Sequence, residues 1–249
     1  MDRLTDALEL LDGPLDDPAA LAGNLRDLRR INRFLGGVAL SAAAIESLAT
    51  THDGLSILDV GTGGADIPVA LLARSAARQD GTLRIVGLDS RPEVLAAAAV
   101  ADREVTRTEG LTLEVGDGRS LPYPDGAFDI VHCSLVLHHL DDDDGTALLR
   151  EMARVGRLGI VVNDLHRSRL AWLGAWLMGH VLTRNRYTRN DAPLSVRRAY
   201  RVDEALALVH GAGLVPIRTV RARIRQRYAI AAVRATDDAA PGARGPVRA

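Results

Sequence analysis

The run Leu55-Ser56-Ile57-Leu58-Asp59-Val60-Gly61-Thr62-Gly63-Gly64-Ala65-Asp66-Ile67-Pro68 constrains this chain more than any other stretch. Leu55 to Val60 is short, apolar and flanked by turn formers, the pattern of a strand buried in a parallel sheet. Gly61, Gly63 and Gly64 accept positive φ and leave bare backbone where a ligand approaches. Asp66 reads as the N-cap, and Pro68 as a first-turn residue, of a helix running through Val69 to Ala73. Strand, glycine turn and helix N-terminus together predict a nucleotide-sized site at the carboxyl edge of an α/β sheet.

The residues that follow narrow the ligand. A dinucleotide site has G-x-G-x-x-G and an acidic ribose partner about 20 residues further on. Here the third glycine slot holds Asp66, whose carboxylate would repel a pyrophosphate. The next acidic strand end is Asp89, in Leu83 to Ser90, 28 positions after Gly61. Both departures speak against NAD or FAD and for a ligand with a ribose, a base and a cationic centre but no phosphate. Two further blocks follow, Gly116-Asp117-Gly118 and Leu121-Pro122-Tyr123-Pro124-Asp125-Gly126-Ala127-Phe128-Asp129-Ile130-Val131. Asp59-x-Gly61-x-Gly63 with Asp89 resembles motifs I and II of the class I S-adenosylmethionine (SAM)-dependent methyltransferases. The block from Leu121 is similar to one in their small-molecule branch, which includes the ubiquinone/menaquinone methyltransferases. The resemblance covers roughly residues 54–162, and Ala65 stands where the family has its third glycine.

The resemblance implies SAM as cofactor and a Rossmann-like, doubly wound, mostly parallel sheet. It places Gly61, Thr62 and Gly63 against the methionine portion of SAM, with Asp59 favouring its ammonium. Asp89, with Ser90 beside it, can accept from both ribose hydroxyls, a task suited to the two oxygens of a carboxylate. Asp117 and Gly118 fall at the adenine, and Ser134 at the methionine end.

At 249 residues and 47% hydrophobic, the chain is long enough for one substantial core. A net charge of -1 gives no global electrostatic case for nucleic acid. All 31 basic residues are Arg, which reads as coding bias. The single Cys133 permits no internal disulfide, and neither a signal peptide nor a bilayer-spanning run is evident, so a cytoplasmic setting is expected.

Residues 1–50 are expected to form a helical cap, with Leu4, Leu8 and Leu11 on one helix face and Leu21, Leu25, Leu28, Ile31 and Leu35 on the next. Residues 51–235 form the main domain. Strands are expected at 55–60, 83–88, 111–115, 128–133 and 157–162, with helices at 67–79, 91–104, 142–155 and 202–210. Two closing strands follow, 214–220 and 224–235, and the tail from 236 to 249 reads as disordered. Residues 165–200 are a lid-like insertion. Leu170 to Leu182 carries both tryptophans, Trp172 and Trp176, and is apolar nearly all round, so it must be buried or face a greasy ligand, a partner or a membrane surface. An arginine-rich stretch with an Asn190-Asp191-Ala192-Pro193 turn follows.

Methyl transfer is an in-line displacement from an activated sulfonium, so the protein positions the acceptor and removes its proton where needed. The candidates for that work are His139, Asp164 and His166, with His138 lining the site. The run Asp141 to Asp144 is read as helix capping rather than a metal site, and no metal is expected. The expected acceptor is a small apolar or aromatic molecule, a phenol, quinone or polyketide-like compound, methylated on oxygen or carbon by a monomer or homodimer. The competing readings are a SAM-binding subunit without turnover and a nicotinamide- or flavin-dependent oxidoreductase.

Overall fold

The computed structural model describes residues 1–49, 53–79, 81–222 and 226–235. Seven strands form one sheet: β1 (Leu55–Val60), β2 (Leu83–Asp89), β3 (Leu111–Val115), β4 (Phe128–Ser134), β5 (Gly156–Leu165), β6 (Leu214–Ala222) and β7 (Arg227–Arg234). Their order is β3-β2-β1-β4-β5-β7-β6, parallel from β3 to β5, with β7 antiparallel to both β5 and β6. The expected strands are all present. The last one begins at Arg227, and the expected start at 224 and the tail from 236 lie outside the described residues.

Helices α1 (Pro18–Phe34), α2 (Gly37–Ile45), α3 (Asp66–Arg78), α4 (Pro92–Ala101), α5 (Asp142–Val155), α6 (Arg169–Val181), α7 (Arg186–Arg198) and α8 (Val202–Gly211) complete the fold. Two apolar cores lie on opposite faces of the sheet. Leu148, Leu149 and Met152 of α5 and Ala205 and Val209 of α8 pack on Leu58, Val131 and Val162. Leu40 and Ile45 of α2 and Ile67 and Leu71 of α3 pack on Ile57, Ile85 and Val161. Successive residues of β1, Ile57 and Leu58, thus enter different cores, as the period-2 pleat requires. The acidic run acts as predicted: the Asp141 side chain accepts from the Asp144 amide at 2.8 Å and caps α5. No helix among the described residues is long and apolar enough to cross a membrane.

Three local expectations are corrected. Residues 1–17 do not form a helix: apart from a 3-10 turn at Leu10–Asp12 the chain is irregular, and Leu8 is 78% exposed rather than part of a core face. The amides of Leu10 and Leu11 donate to the Asp191 carboxylate, so a side chain from α7 replaces the helical bonds. The predicted turn at residues 190–193 lies inside α7, with Pro193 in the helix. Asn185 caps this helix through its side chain, and packing against α6 outweighs the turn propensity of the tetrapeptide. The predicted helix 91–104 ends at Ala101 because Asp102 caps a separate 3-10 turn, Arg103–Thr106.

Candidate active site

The glycine turn after β1 is held from beneath. Asp59 is buried, and its two carboxylate oxygens accept from Thr62 Oγ1 at 2.7 Å and His132 Nδ1 at 2.5 Å. His132 Nε2 lies 2.8 Å from Ser41 Oγ, which also accepts from Asn163 Nδ2 at 2.8 Å. Asp59 is therefore wired through β4 to α2 and β5. Gly61 has φ +67, and a Cβ there would collide with Val136, so only glycine fits. Ala65 is the N-cap of α3 and takes φ +52, which costs about 1–2 kcal/mol in a residue with a Cβ. Asp66 is not the cap. It is the first residue of α3, its carboxylate accepts from Asn32 Nδ2 at 2.9 Å, and burial pushes its pKa up.

The other carboxyl ends of the parallel strands line up beside this turn. Asp89 accepts from the Gly63 amide on Oδ2 and the Arg91 amide on Oδ1, both at 3.0 Å, and burial raises its pKa against those two donors. Ser90 is exposed next to it. Asp117 is exposed and paired with Arg119, while a Cβ on Gly118 would press into Val60. Ser134 Oγ accepts from Arg227 Nη2 at 3.2 Å. Arg227 is 1% exposed and its Nη1 donates to Asn32 Oδ1 at 2.6 Å.

One residue beyond Ser134 a second space opens. A cavity of about 440 Å³ lies between α1, α6, α7 and the ends of β4 and β5. Leu28, Ile31, Leu35, Leu135, Leu165 and Met178 give it an apolar body. Its polar end is built by Glu9, His138 and His139. His138 Nδ1 lies 2.7 Å from Asp164 Oδ1, and the His138 amide donates to Asp164 Oδ2 at 3.1 Å. His139 Nδ1 lies 2.9 Å from Asp12 Oδ1, and Arg198 Nη1 reaches Asp12 Oδ2 at 2.6 Å. Against burial, which raises it, the contacts from His139, Arg198 and the Glu9 amide hold the Asp12 carboxyl well below its usual range.

The candidate residues separate here. His139 reaches the cavity. Asp164 does not touch it and acts on His138. His166 stands apart from both, with Arg221, Asp203 and Arg167 as its charged neighbours, and burial lowers its pKa. The apolar helix is also differently oriented from the expected tryptophan wall. Ala171, Gly174, Ala175 and Met178 face the cavity, whereas Trp172 and Trp176 do not line it and are 36% and 41% exposed. Ala175 and Gly179 are the buried residues of α6, and Gly179 allows close contact with the Thr188 and Arg189 backbone of α7.

Residues 58–161 match the family described as "Methyltransferase domain". This region is a class I SAM-dependent methyltransferase domain. An uncharacterized methyltransferase of Synechocystis is 32% identical over 49% of this chain and 52% of its own length. A demethylmenaquinone methyltransferase of Deinococcus radiodurans is 36% identical over 46% and 43%. The match thus spans about half the length of these relatives. A SAM-dependent methyltransferase from Aquifex aeolicus has the same fold, with a TM-score of 0.59 at 16% identity over 87% of this chain and 97% of that one.

Asp89 stands at the end of β2 beside Gly63, where the sequence resemblance expects the ribose of SAM. Asp89→Ala is expected to weaken SAM binding by about 1.5–3 kcal/mol, the loss of a charge-assisted hydrogen-bond pair. Calorimetry with SAM checks this, and an unchanged affinity would remove Asp89 from the site. The residues that sequence reasoning missed are Glu9, Asp12, Asn32, His132 and Arg227. His132 carried a readable signal, a polar residue in the otherwise apolar run of β4. The others carried none.

Proposed function

We propose that this protein transfers the methyl group of SAM to a small acceptor with an apolar, aromatic body and a nucleophilic hydroxyl or ring carbon at one end. The cavity beside Ser134 carries this reading: it is lined by aliphatic side chains along its length and by two carboxylate-held histidines at one end. A greasy acceptor gains about 25 cal/mol for each Å² of apolar surface it buries there. Its polar group is thereby directed to His138, His139 and Glu9. That the Deinococcus relative is named for a quinone-type acceptor supports an aromatic body.

Chemistry of this kind asks little of the protein beyond alignment and proton removal, because the sulfonium is already an activated leaving group. His139 and Glu9 stand at the end of the cavity where that proton leaves, and Asp12 fixes the orientation of the His139 ring. Incubating the protein with methyl-labelled SAM and a panel of phenols, quinols, polyketide-like aromatics and simple amines, read by mass spectrometry, tests the proposal. Label on an apolar phenol or quinol is the expected result. Label confined to polar amines, or to no acceptor while SAM still binds, would refute it.

A further inference from the structure

Glu9 is a buried ionisable group set apart from the glycine turn and the strand ends around it. It lies in the irregular N-terminal segment, 3% exposed, and lines the polar end of the cavity. Its Oε2 accepts from Ser195 Oγ at 2.8 Å, while Oε1 has no hydrogen-bond partner. From the turn after β4, His138 Nε2 stands 3.8 Å from Oε1 and His139 Nε2 stands 3.9 Å from Oε2. From α7, Arg198 Nη1 stands 3.6 Å from Oε1, and Asp191 adds a nearby negative charge. From its own segment, Asp12 pairs with His139 Nδ1 at 2.9 Å.

The tautomers follow from the partners. Ionised Asp164 and Asp12 can only accept, so each histidine carries a hydrogen on Nδ1 and turns Nε2 toward Glu9. The polar end of the cavity therefore offers an acceptor, Glu9 Oε1, that is buried without a hydrogen-bond donor. Such an oxygen is rarely left unpaired in a folded protein. A ligand group that fits must bring a hydrogen.

We propose that Glu9 takes the proton from the acceptor's hydroxyl, and that this end of the cavity consequently selects phenol- or enol-type hydroxyls over carboxylates and ethers. The proposal rests on the methyl-transfer reading. In the step, the hydroxyl oxygen forms a bond to the SAM methyl carbon. The carbon–sulfur bond breaks with its electron pair going to sulfur, and the hydroxyl proton passes to the Glu9 carboxylate. The products are a methyl ether, neutral S-adenosylhomocysteine and a protonated Glu9. His139, whose side chain is 27% exposed, is the route by which that proton reaches solvent. Burial raises the Glu9 pKa to about 7, against the pull of His139, Ser195 and Arg198. A carboxylate so placed is a much better base near neutrality than one in water.

Two experiments on the full chain test this. In the first, Glu9→Gln keeps the side chain's shape and removes its basicity. Turnover should fall by about 10²–10⁴-fold, with S-adenosylhomocysteine affinity and melting temperature close to wild type. The wild-type rate should rise with pH through about 7 as Glu9 ionises, and that limb should vanish in the variant. A variant rate within threefold of wild type, with the limb intact, overturns the proposal. The second experiment needs no turnover, so it separates this proposal from the methyl-transfer reading. With S-adenosylhomocysteine bound, calorimetry compares 4-pentylphenol, 4-pentylanisole and 4-pentylbenzoate. The phenol should bind at least about tenfold more tightly than the other two, and Glu9→Gln should erase the preference. Equal binding of phenol and anisole, or tighter binding of benzoate, overturns it. So does loss of a bound transition metal together with activity on EDTA dialysis, because Glu9, His138 and His139 would then be metal ligands.

Discussion

Gly174→Leu is expected to abolish most acceptor turnover while leaving the protein folded and SAM binding intact. Gly174 lines the cavity from the inner side of α6, and no heavy atom lies within 4 Å of where its Cβ would stand. A leucine therefore enters empty space without a clash and occupies the volume an acceptor would fill. In the helix itself the change is favourable, since leucine exceeds glycine in helix propensity by roughly 0.8 kcal/mol. Misplacing a substrate by about 1 Å can cost on the order of 10²-fold in rate, and kcat/KM for the acceptor should fall at least that far. Labelled-SAM turnover, a thermal melt and calorimetry with S-adenosylhomocysteine measure the three quantities separately. Wild-type turnover in a stably folded variant would show that the acceptor binds elsewhere. Trp172→Ala and Trp176→Ala, on the outer side of the same helix, are expected to leave acceptor KM within a few-fold of wild type.

Arg227→Met should lower the unfolding free energy by about 3–5 kcal/mol, the range for breaking a buried charge cluster by removing one member. Arg227 opens β7, and its guanidinium is enclosed by Asn32, Ser134 and the Gly37 backbone. Burial lowers its pKa to about 10, with Asp164 and Asp66 working in the opposite direction. Holding that charge in the interior is itself costly, so its value lies in what it compensates. Without it, Asp66 and Asp164 lose their shared buried cation and Asn32 Oδ1 loses a donor. Asn32 also bonds to Asp66 at the start of α3, so the damage should extend to the glycine turn and weaken SAM binding. Urea unfolding at pH 7 gives the stability difference. A loss below about 1 kcal/mol would mean that the two carboxylates do not depend on Arg227.

The sheet and the glycine turn at its carboxyl edge were legible in the chain because their signals are local. Leu55 to Val60 is a short apolar run stopped by glycines, Asp89 ends the next such run, and Gly61 must adopt a φ that other residues avoid. Each of these follows from residues within about ten positions of one another, where pleat, turn chemistry and helix capping act. The same local reasoning misplaced Leu4 to Leu11, because leucines at helical spacing do not show that a Leu10 amide will be taken by a carboxylate on α7. It also could not orient α6. A helix apolar on every side has no periodic signal for which side faces inward, and the small residues Ala175 and Gly179 settle that by admitting α7.

The polar end of the cavity is a product of tertiary structure alone. Asp12 and His139 are 127 positions apart, Glu9 and Ser195 186, and Asn32 and Arg227 195. No spacing rule links residues at such distances. Their meeting depends on the antiparallel return of β7, on the packing of α7 against the N-terminal segment, and on the turn after β4. The burial that pushes the Glu9 pKa to about 7 arises only when α7 and the turn after β4 close over it. The sequence thus determined the strands and the glycine turn at their carboxyl ends, through backbone chemistry that each segment carries within itself. Which side chains meet at the polar end of the cavity was decided by desolvation and long-range packing, which no segment contains on its own.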